Sequence, residues 1–261
     1  MTARVEQRVR HRRRLSARRA VIGGLSALAL TGTAIATTAT LGSAGAATTW
    51  PQAKGSRAVT STIPVSGTFD GRMTEFFGSG ALGTGGQDED QGPVFELADG
   101  VHCLGSCTLQ NVWWLDVGED AATFKGTSSS AVYKVRGGGA KGADDKVLQF
   151  NGAGKLVVSK FQVENFGKLV RSCGNCKKQF KRTVIIDDVD VTAPGKAIVG
   201  VNSNFGDTAS LRRVRVHGDT KKKIKTCVRF QGNSTGKEPT ELGNGPDGTT
   251  CRFTASDVTY D

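Results

Sequence analysis

The sequence predicts an all-β solenoid, in which short strands stack coil upon coil around one apolar column. Three observations support this fold class. Short strand-like units recur with a period in the twenties, and no apolar stripe of helical periodicity follows Trp50. The chain is also rich in glycine, with 35 residues, and poor in aromatic residues, which make up 7%. A strand period of this length is typical of β-solenoids.

The strand-like units fix the phase of the coils. Aligning Val112, Phe161, Val189 and Val214 leaves gaps of 49, 28 and 25 residues, and the first gap holds two coils with the unit at Val135 between them. A β-sandwich would also contain many short strands, but with hairpin turns every 8–12 residues. Glycine-rich blocks here recur at the coil period, which favours the solenoid. The units are 109–114 (LQNVWW), 131–135 (AVYKV), 156–163 (LVVSKFQV), 184–191 (VIIDDVDV), 211–216 (LRRVRV) and 256–260 (SDVTY).

The N-terminal 46 residues have the order of a secretory signal peptide. Eight Arg lie between residues 4 and 19, an apolar run follows over 20–39, and Ala44-Gly45-Ala46 resembles a cleavage site. Arg18-Arg19 also suits twin-arginine export, so both that route and the general secretory route stay open. The threonines in the apolar run disfavour a membrane anchor. We therefore expect a secreted, extracellular protein without stable membrane association after cleavage.

Removal of this segment changes the charge argument. The whole chain has a formal net charge of +11, but residues 1–46 hold eight Arg and one Glu. The remaining chain keeps 27 basic and 23 acidic residues, a net of +4, so nucleic acid is not an expected partner. Residues 47–68 read as an extended N-terminal segment, and 69–261 as a single domain, expected to be a monomer.

All six cysteines lie after the signal segment, which favours disulfides in an exported chain. The spacings Cys103-x3-Cys107 and Cys173-x2-Cys176 suggest two local bridges, and Cys227 with Cys251 then remains by elimination. A zinc site is the alternative, but only His102 and His217 are left to contribute imidazole.

Two groups of charged residues are candidates for a site. Asp99 and Glu119 are 20 residues apart, close to one coil, and Asp120 follows directly. Three clustered carboxylates suit a hard cation such as Ca²⁺, although acids in solvated turns would give the same pattern. Lys146 and Lys168 are 22 residues apart, and Arg171 follows. These cations on the same face would bind a polyanion, unless they form a charged surface without a ligand.

Five strings of the sequence are specific enough to compare with known families. They are 98–103 (ADGVHC), 111–121 (NVWWLDVGEDA), 145–147 (DKV), 163–169 (VENFGKL) and 171–176 (RSCGNC). In their order and spacing they resemble family 3 of the polysaccharide lyases, the pectate lyases. The resemblance runs from about Phe69 to Tyr260 and includes further matches at 78–83 (GSGALG) and 93–97 (PVFEL).

The resemblance implies a single-stranded right-handed parallel β-helix and a Ca²⁺-dependent carbon–oxygen lyase that cleaves polygalacturonate, the backbone of pectin, to 4,5-unsaturated oligogalacturonides. It implies Asp99, Glu119 and Asp120 as calcium ligands, Lys146 as catalytic base, and Lys168 and Arg171 as groups that bind substrate carboxylates. Lysine can serve as the base if cationic neighbours lower its pKa, whereas Arg is the better carboxylate clamp. The reverse assignment of Lys146 and Arg171 stays open.

The sequence departs from the family just before Asp99. Relatives carry about one extra coil between the strings at 93–97 and 98–103, which here adjoin. A solenoid can lose one coil and keep its register, so we expect a β-helix one coil shorter than its relatives. Two alternatives follow: a β-helix that binds pectin with impaired catalysis, and a pectin hydrolase, which would act through carboxylates without an obligatory metal.

Overall fold

A computed structural model describes residues 50–61, 63–65, 67–79, 100–118 and 120–261. Residues 1–46, with the expected signal peptide, lie outside these ranges. The expected loss of a coil before Asp99 also falls outside them, as do Asp99 and Glu119 themselves. No helix in the described part of the chain is long and apolar enough to cross a membrane.

The described residues form strands and short 3₁₀ turns, with no α-helix among them. Three strands are long and bend along their length, and the others are short. The strands are β1 Gly55–Val59, β2 Thr74–Gly78, β3 His102–Cys103, β4 Cys107–Trp114, β5 Ala122–Phe124, β6 Val132–Phe150, β7 Gly154–Ser172, β8 Arg182–Asn202, β9 Thr208–His217, β10 Lys225–Gln231, β11 Thr240–Asn244, β12 Cys251–Arg252 and β13 Val258–Tyr260.

Parallel pairing stacks these strands as a solenoid, which confirms the predicted fold class. β4 and β5 together pair with β6, which pairs with β7, and β7 pairs with β8. β8 then pairs with β9 and β10, and β9 pairs with β12 and β13. β1 and β2 form a separate parallel pair, and β11 runs antiparallel along β10.

The core is a set of stacked apolar columns. In one column Leu109, Val135, Val158, Ile186 and Leu211 are register partners on five successive coils. Each of these residues is at most 5% exposed. The predicted alignment holds: Phe161, Val189 and Val214 stand in register, and Val112 pairs with Gly138, whose neighbour Gly139 pairs with Gln162 next to Phe161. Of the two bulky residues after Val112, Trp114 is fully buried and Trp113 is half-buried.

One corner of the coil uses left-handed backbone on five successive levels. The φ angles there are 54° at Asn111, 65° at Gly137, 52° at Lys160, 59° at Asp188 and 46° at Arg213. Only Gly adopts this region without strain, and Asn and Asp tolerate it better than Lys or Arg. Stacking on the coils above and below therefore imposes the bend at Lys160 and Arg213.

Three disulfides fasten the coils and match the three predicted pairs. Cys103 joins Cys107, and Cys173 joins Cys176, each within a turn. Cys227 in β10 joins Cys251 in β12, across a sequence separation of 24. No free cysteine is found among the described residues.

Candidate active site

Lys146 and Lys168 stand side by side because they are register partners on β6 and β7. The register slips just before them, since Ala143 pairs with Phe166 and Lys146 with Lys168. Two residues of β6 therefore oppose a single residue of β7, which is a β-bulge. Gly167 is required opposite the bulge, because a Cβ there would lie 2.0 Å from the carbonyl oxygen of Asp145.

Asp145, inside the bulge, links the two lysines. Its Oδ2 accepts a hydrogen bond from Lys146 Nζ at 2.6 Å, and its Oδ1 accepts one from Lys168 Nζ at 2.8 Å. Burial alone raises the pKa of Asp145, but the hydrogen bonds from Lys146 and Lys168 outweigh it and hold the pKa at about 2. This carboxylate is therefore ionised at every pH where an enzyme would work.

Lys146 lies deeper than Lys168, with its side chain 11% exposed against 28%. Besides Asp145, it has the Asp120 carboxylate 3.7 Å from its Nζ. Asp120 is itself only 5% exposed. Two carboxylates therefore accompany the cationic neighbours expected around Lys146, and Asp145 is the nearer of the two.

Arg171 lies on β7, three residues beyond Lys168, and is only 7% exposed. Its Nη1 donates to the carbonyl oxygens of Ser172 at 2.5 Å and Gly200 at 3.5 Å, and to Asn202 Oδ1 at 3.1 Å. The Phe230 ring stacks on the guanidinium, with its centroid 4.0 Å away. Burial lowers the pKa of Arg171 to about 10, although nearby carboxylates oppose the shift.

A glycine makes room for Arg171. On β8, Gly200 is the register partner of Arg171, and a Cβ there would lie 2.9 Å from Arg171 Cδ and 3.0 Å from the Phe230 ring. The arginine side chain can therefore cross its neighbouring strand and reach Asn202 and Phe230. The structure brings Lys146, Lys168 and Arg171 onto two adjacent coils, as their spacing predicts.

The structure describes only one of the three predicted metal ligands. Asp120 is described and Asp99 and Glu119 are not, and the described ranges hold no group of three His, Cys, Asp or Glu side chains that could bind a metal ion. The role of Asp120 as a ligand stays a prediction.

Sequence reasoning missed three residues that shape the site: Asp145, Asn202 and Phe230. Asp145 had a visible signal, since it precedes Lys146 directly within a matched string. Asn202 and Phe230 lie 31 and 59 residues after Arg171, and neither spacing equals one coil period. Only the stacking of the coils brings them to Arg171.

Comparison with known proteins places this arrangement in a family. The model of the family described as "Pectate lyase" matches residues 47–237. Pectate lyase E of Emericella nidulans is 48% identical over 221 residues, which cover 78% of this chain and 83% of that protein. The chain belongs to the pectate lyase family.

Solved structures of pectate lyases share the fold. The catalytic domain of pectate lyase PelI from Erwinia chrysanthemi is 28% identical, with a TM-score of 0.61, and the match covers 80% of this chain and 98% of that one. The complex of PelI with tetragalacturonic acid is 27% identical, with a TM-score of 0.58, over 80% of this chain and 71% of that one. The predicted enzyme class, a pectate lyase, is confirmed by these relatives.

Proposed function

We propose that this chain is a secreted family 3 pectate lyase that cleaves polygalacturonate by β-elimination. The observation that carries the proposal is the placement of Lys146, Lys168 and Arg171 on two adjacent coils, with both lysines bonded to one ionised carboxylate. Such a site offers cations for the carboxylates of a polyuronate. The complex of the relative PelI with tetragalacturonic acid supports this substrate class.

The reaction asks two things of the side chains. A base must remove the C5 proton of a galacturonate unit, so that the C4–O bond breaks and a 4,5-double bond forms. Cations must bind the adjacent carboxylate, because its negative charge makes that proton hardly acidic. Lys146, the more deeply buried of the two lysines, is our candidate base, while Lys168 and Arg171 would hold substrate carboxylates.

The substrate would share the lysines with Asp145. In the free protein this carboxylate takes a hydrogen bond from both Nζ atoms. An ammonium group has three N–H donors, so Lys168 can bind a uronate carboxylate and Asp145 together. Lys146 can act as a base only as the neutral amine, so it must lose a proton before it takes one from C5.

Arg171 is the second candidate for the base. Its pKa is lowered to about 10 by burial, which brings an arginine within reach of deprotonation at alkaline pH. Both assignments predict an alkaline optimum. The Arg171→Lys variant distinguishes them. If Arg171 is the base, the variant keeps a side chain that can accept the proton. If Arg171 binds the substrate carboxylate, the variant loses the planar fork that binds it.

Calcium is the proposed cofactor, with Asp99, Glu119 and Asp120 as its ligands. The described donor fits, because Asp120 offers carboxylate oxygens, which are the ligands that Ca²⁺ prefers, and it is buried beside Lys146. Bound calcium would neutralise a substrate carboxylate and stabilise the negative charge that develops next to it.

The deciding assay follows the ultraviolet absorbance of unsaturated uronates released from polygalacturonate at alkaline pH. We expect product with added Ca²⁺, loss of product with a chelator, and recovery when Ca²⁺ is restored. Reducing ends that form without unsaturated product would indicate a hydrolase. Binding of polygalacturonate without any product would indicate a pectin-binding β-helix with impaired catalysis.

A further inference from the structure

A buried polar network continues from Arg171 into the end of the solenoid coil. Asn202 at the end of β8 is fully buried, and so are Arg182 at its start and Asp207 just after it, at 1% exposure or less. Asn202 Oδ1 accepts from Arg171 Nη1 at 3.1 Å, and Asn202 Nδ2 donates to the Cys173 carbonyl oxygen at 2.9 Å. Asn202 therefore connects the candidate site to this interior network.

Asp207 holds Asn202 in place. One carboxylate oxygen of Asp207 accepts the backbone N–H of Asn202 at 3.0 Å, and the same oxygen lies 3.3 Å from Asn202 Nδ2. Its other oxygen accepts the backbone N–H of Arg182 at 2.9 Å. Because the amide nitrogen of Asn202 meets two acceptors, Cys173 and Asp207, the amide oxygen must point to Arg171.

This arrangement leaves one edge of Arg171 without a hydrogen bond to the described residues. All three hydrogen bonds of Arg171 with the described residues come from Nη1. Nε and Nη2 donate to none of the described residues, and Gly174 leaves room beside Nη2, because a Cβ at Gly174 would lie 2.4 Å from it. Two parallel N–H groups on one edge of a guanidinium form the fork that binds a carboxylate bidentately.

We propose that Asn202 is a positioning residue for the lyase reaction: it fixes the Arg171 guanidinium so that the Nε and Nη2 edge meets a substrate carboxylate. This inference rests on the proposed function, in which Arg171 binds substrate. A carboxylate clamp works only in the correct orientation, and a small misplacement of a positioning group costs activity up to about 100-fold.

A double-mutant cycle tests the proposal with Asn202→Ala and Arg171→Ala. We expect Asn202→Ala to lower kcat/KM for polygalacturonate by about 10- to 100-fold in the wild-type background. In the Arg171→Ala background the same substitution should cost nothing further, because the group that it orients is gone. An equal fold-loss in both backgrounds would overturn the proposal, since a general weakening of the coil does not depend on Arg171.

Asn204 provides the matched control. It lies in the same turn, and among the described residues its side chain bonds only to the backbone of Gly232, at 2.8 and 2.9 Å. Asn204→Ala should leave kcat/KM unchanged, and a loss as large as that of Asn202→Ala would show that the turn, rather than Arg171, is at issue. If Asn202→Ala does not fold, Asn202→Leu takes its place in the cycle, because it fills nearly the same volume and also removes the acceptor for Arg171.

The experiment separates failure of the inference from failure of the proposed function. If the wild-type chain makes no unsaturated product, the lyase proposal fails. The cycle is then read from the binding of tetragalacturonate by titration calorimetry, in which Asn202→Ala should weaken binding only when Arg171 is present. Equal weakening with and without Arg171 would again overturn the role of Asn202.

Discussion

Two regions of the solenoid, one on β6 and β7 and the other mainly on β8 and β9, carry stacked charges, and they differ in how those charges are partnered. The first is the candidate site, formed by Lys146, Lys168, Arg171, Asp145 and Asp120. The second, which we call the paired ladder, is formed by Asp187, Asp188, Asp190, Arg213, Arg215, His217 and Asp261. In the candidate site two lysines share Asp145, and Arg171 is held by carbonyl and amide oxygens.

In the paired ladder each cation contacts at least one carboxylate, and Arg215 and His217 share Asp190. Arg215 bonds to both oxygens of Asp190, at 2.7 and 2.9 Å, and also to Asp188 at 2.9 Å. Arg213 pairs with Asp187. A cavity of about 270 Å³ adjoins this ladder, lined partly by Trp113 and Arg215. A cavity is therefore not what sets the candidate site apart. Among the described residues, the candidate site has three cations for two carboxylates, and two of these cations, Lys146 and Arg171, are buried.

Substitution of Lys146 should cause the largest loss of activity. If Lys146 is the base, Lys146→Ala should lower kcat on polygalacturonate by about 10²- to 10⁴-fold, the usual contribution of general acid–base catalysis. The release of unsaturated product measures this. Lys155→Ala is the matched control, because Lys155 is exposed at the start of β7, and its activity should not change. Wild-type activity in Lys146→Ala would exclude Lys146 as the base.

Substitution of Arg171 by Lys tests the fork on which the clamp depends. The positive charge stays but the second parallel N–H is lost, so we expect kcat/KM to fall by about 10- to 100-fold, as for loss of a hydrogen bond to a charged group. Arg229→Lys is the control, because Arg229 pairs with Asp247 at 3.0 Å outside the lysine cluster. Unchanged kcat/KM in Arg171→Lys would show that the fork is not used.

The sequence predicts the fold well because short apolar segments recur along it at the coil period. Lys146 and Lys168, 22 residues apart, are register partners for the same reason. The role of Asp145 depends on a one-residue slip opposite Gly167, which no period reveals. The burial of Arg171 depends on Gly200, Asn202 and Phe230, which come next to Arg171 only when the coils stack. Pairwise spacing therefore finds the cations but not their partners.

The paired ladder should contribute to stability and not to activity. Arg215→Gln leaves Asp188 and Asp190 without their guanidinium, so we expect a loss of about 1 kcal/mol in the free energy of unfolding, the upper end for pairs of this exposure. Urea unfolding measures the loss, and kcat on polygalacturonate should stay at its wild-type value. Arg213→Gln, which removes only the pair with Asp187, should cost less. A fall in kcat for Arg215→Gln at unchanged stability would make the ladder part of the site.

His217 should give the smallest effect, and one that depends on pH. Burial by itself lowers the pKa of His217, but hydrogen bonds to Asp190 and Asp261 outweigh it and raise the pKa above 6.5. A raised pKa means that the folded protein binds the proton more tightly, so this stabilisation is complete below pH 6.5 and is lost as the pH rises through the folded pKa. His217→Gln should therefore be less stable than wild type at pH 5.5, by no more than about 1 kcal/mol, and equally stable near pH 9. Thermal melts at both pH values measure the difference, and Asp261→Asn should reduce it. The same difference at both pH values would show that His217 contributes packing and not charge, which would remove it from the paired ladder.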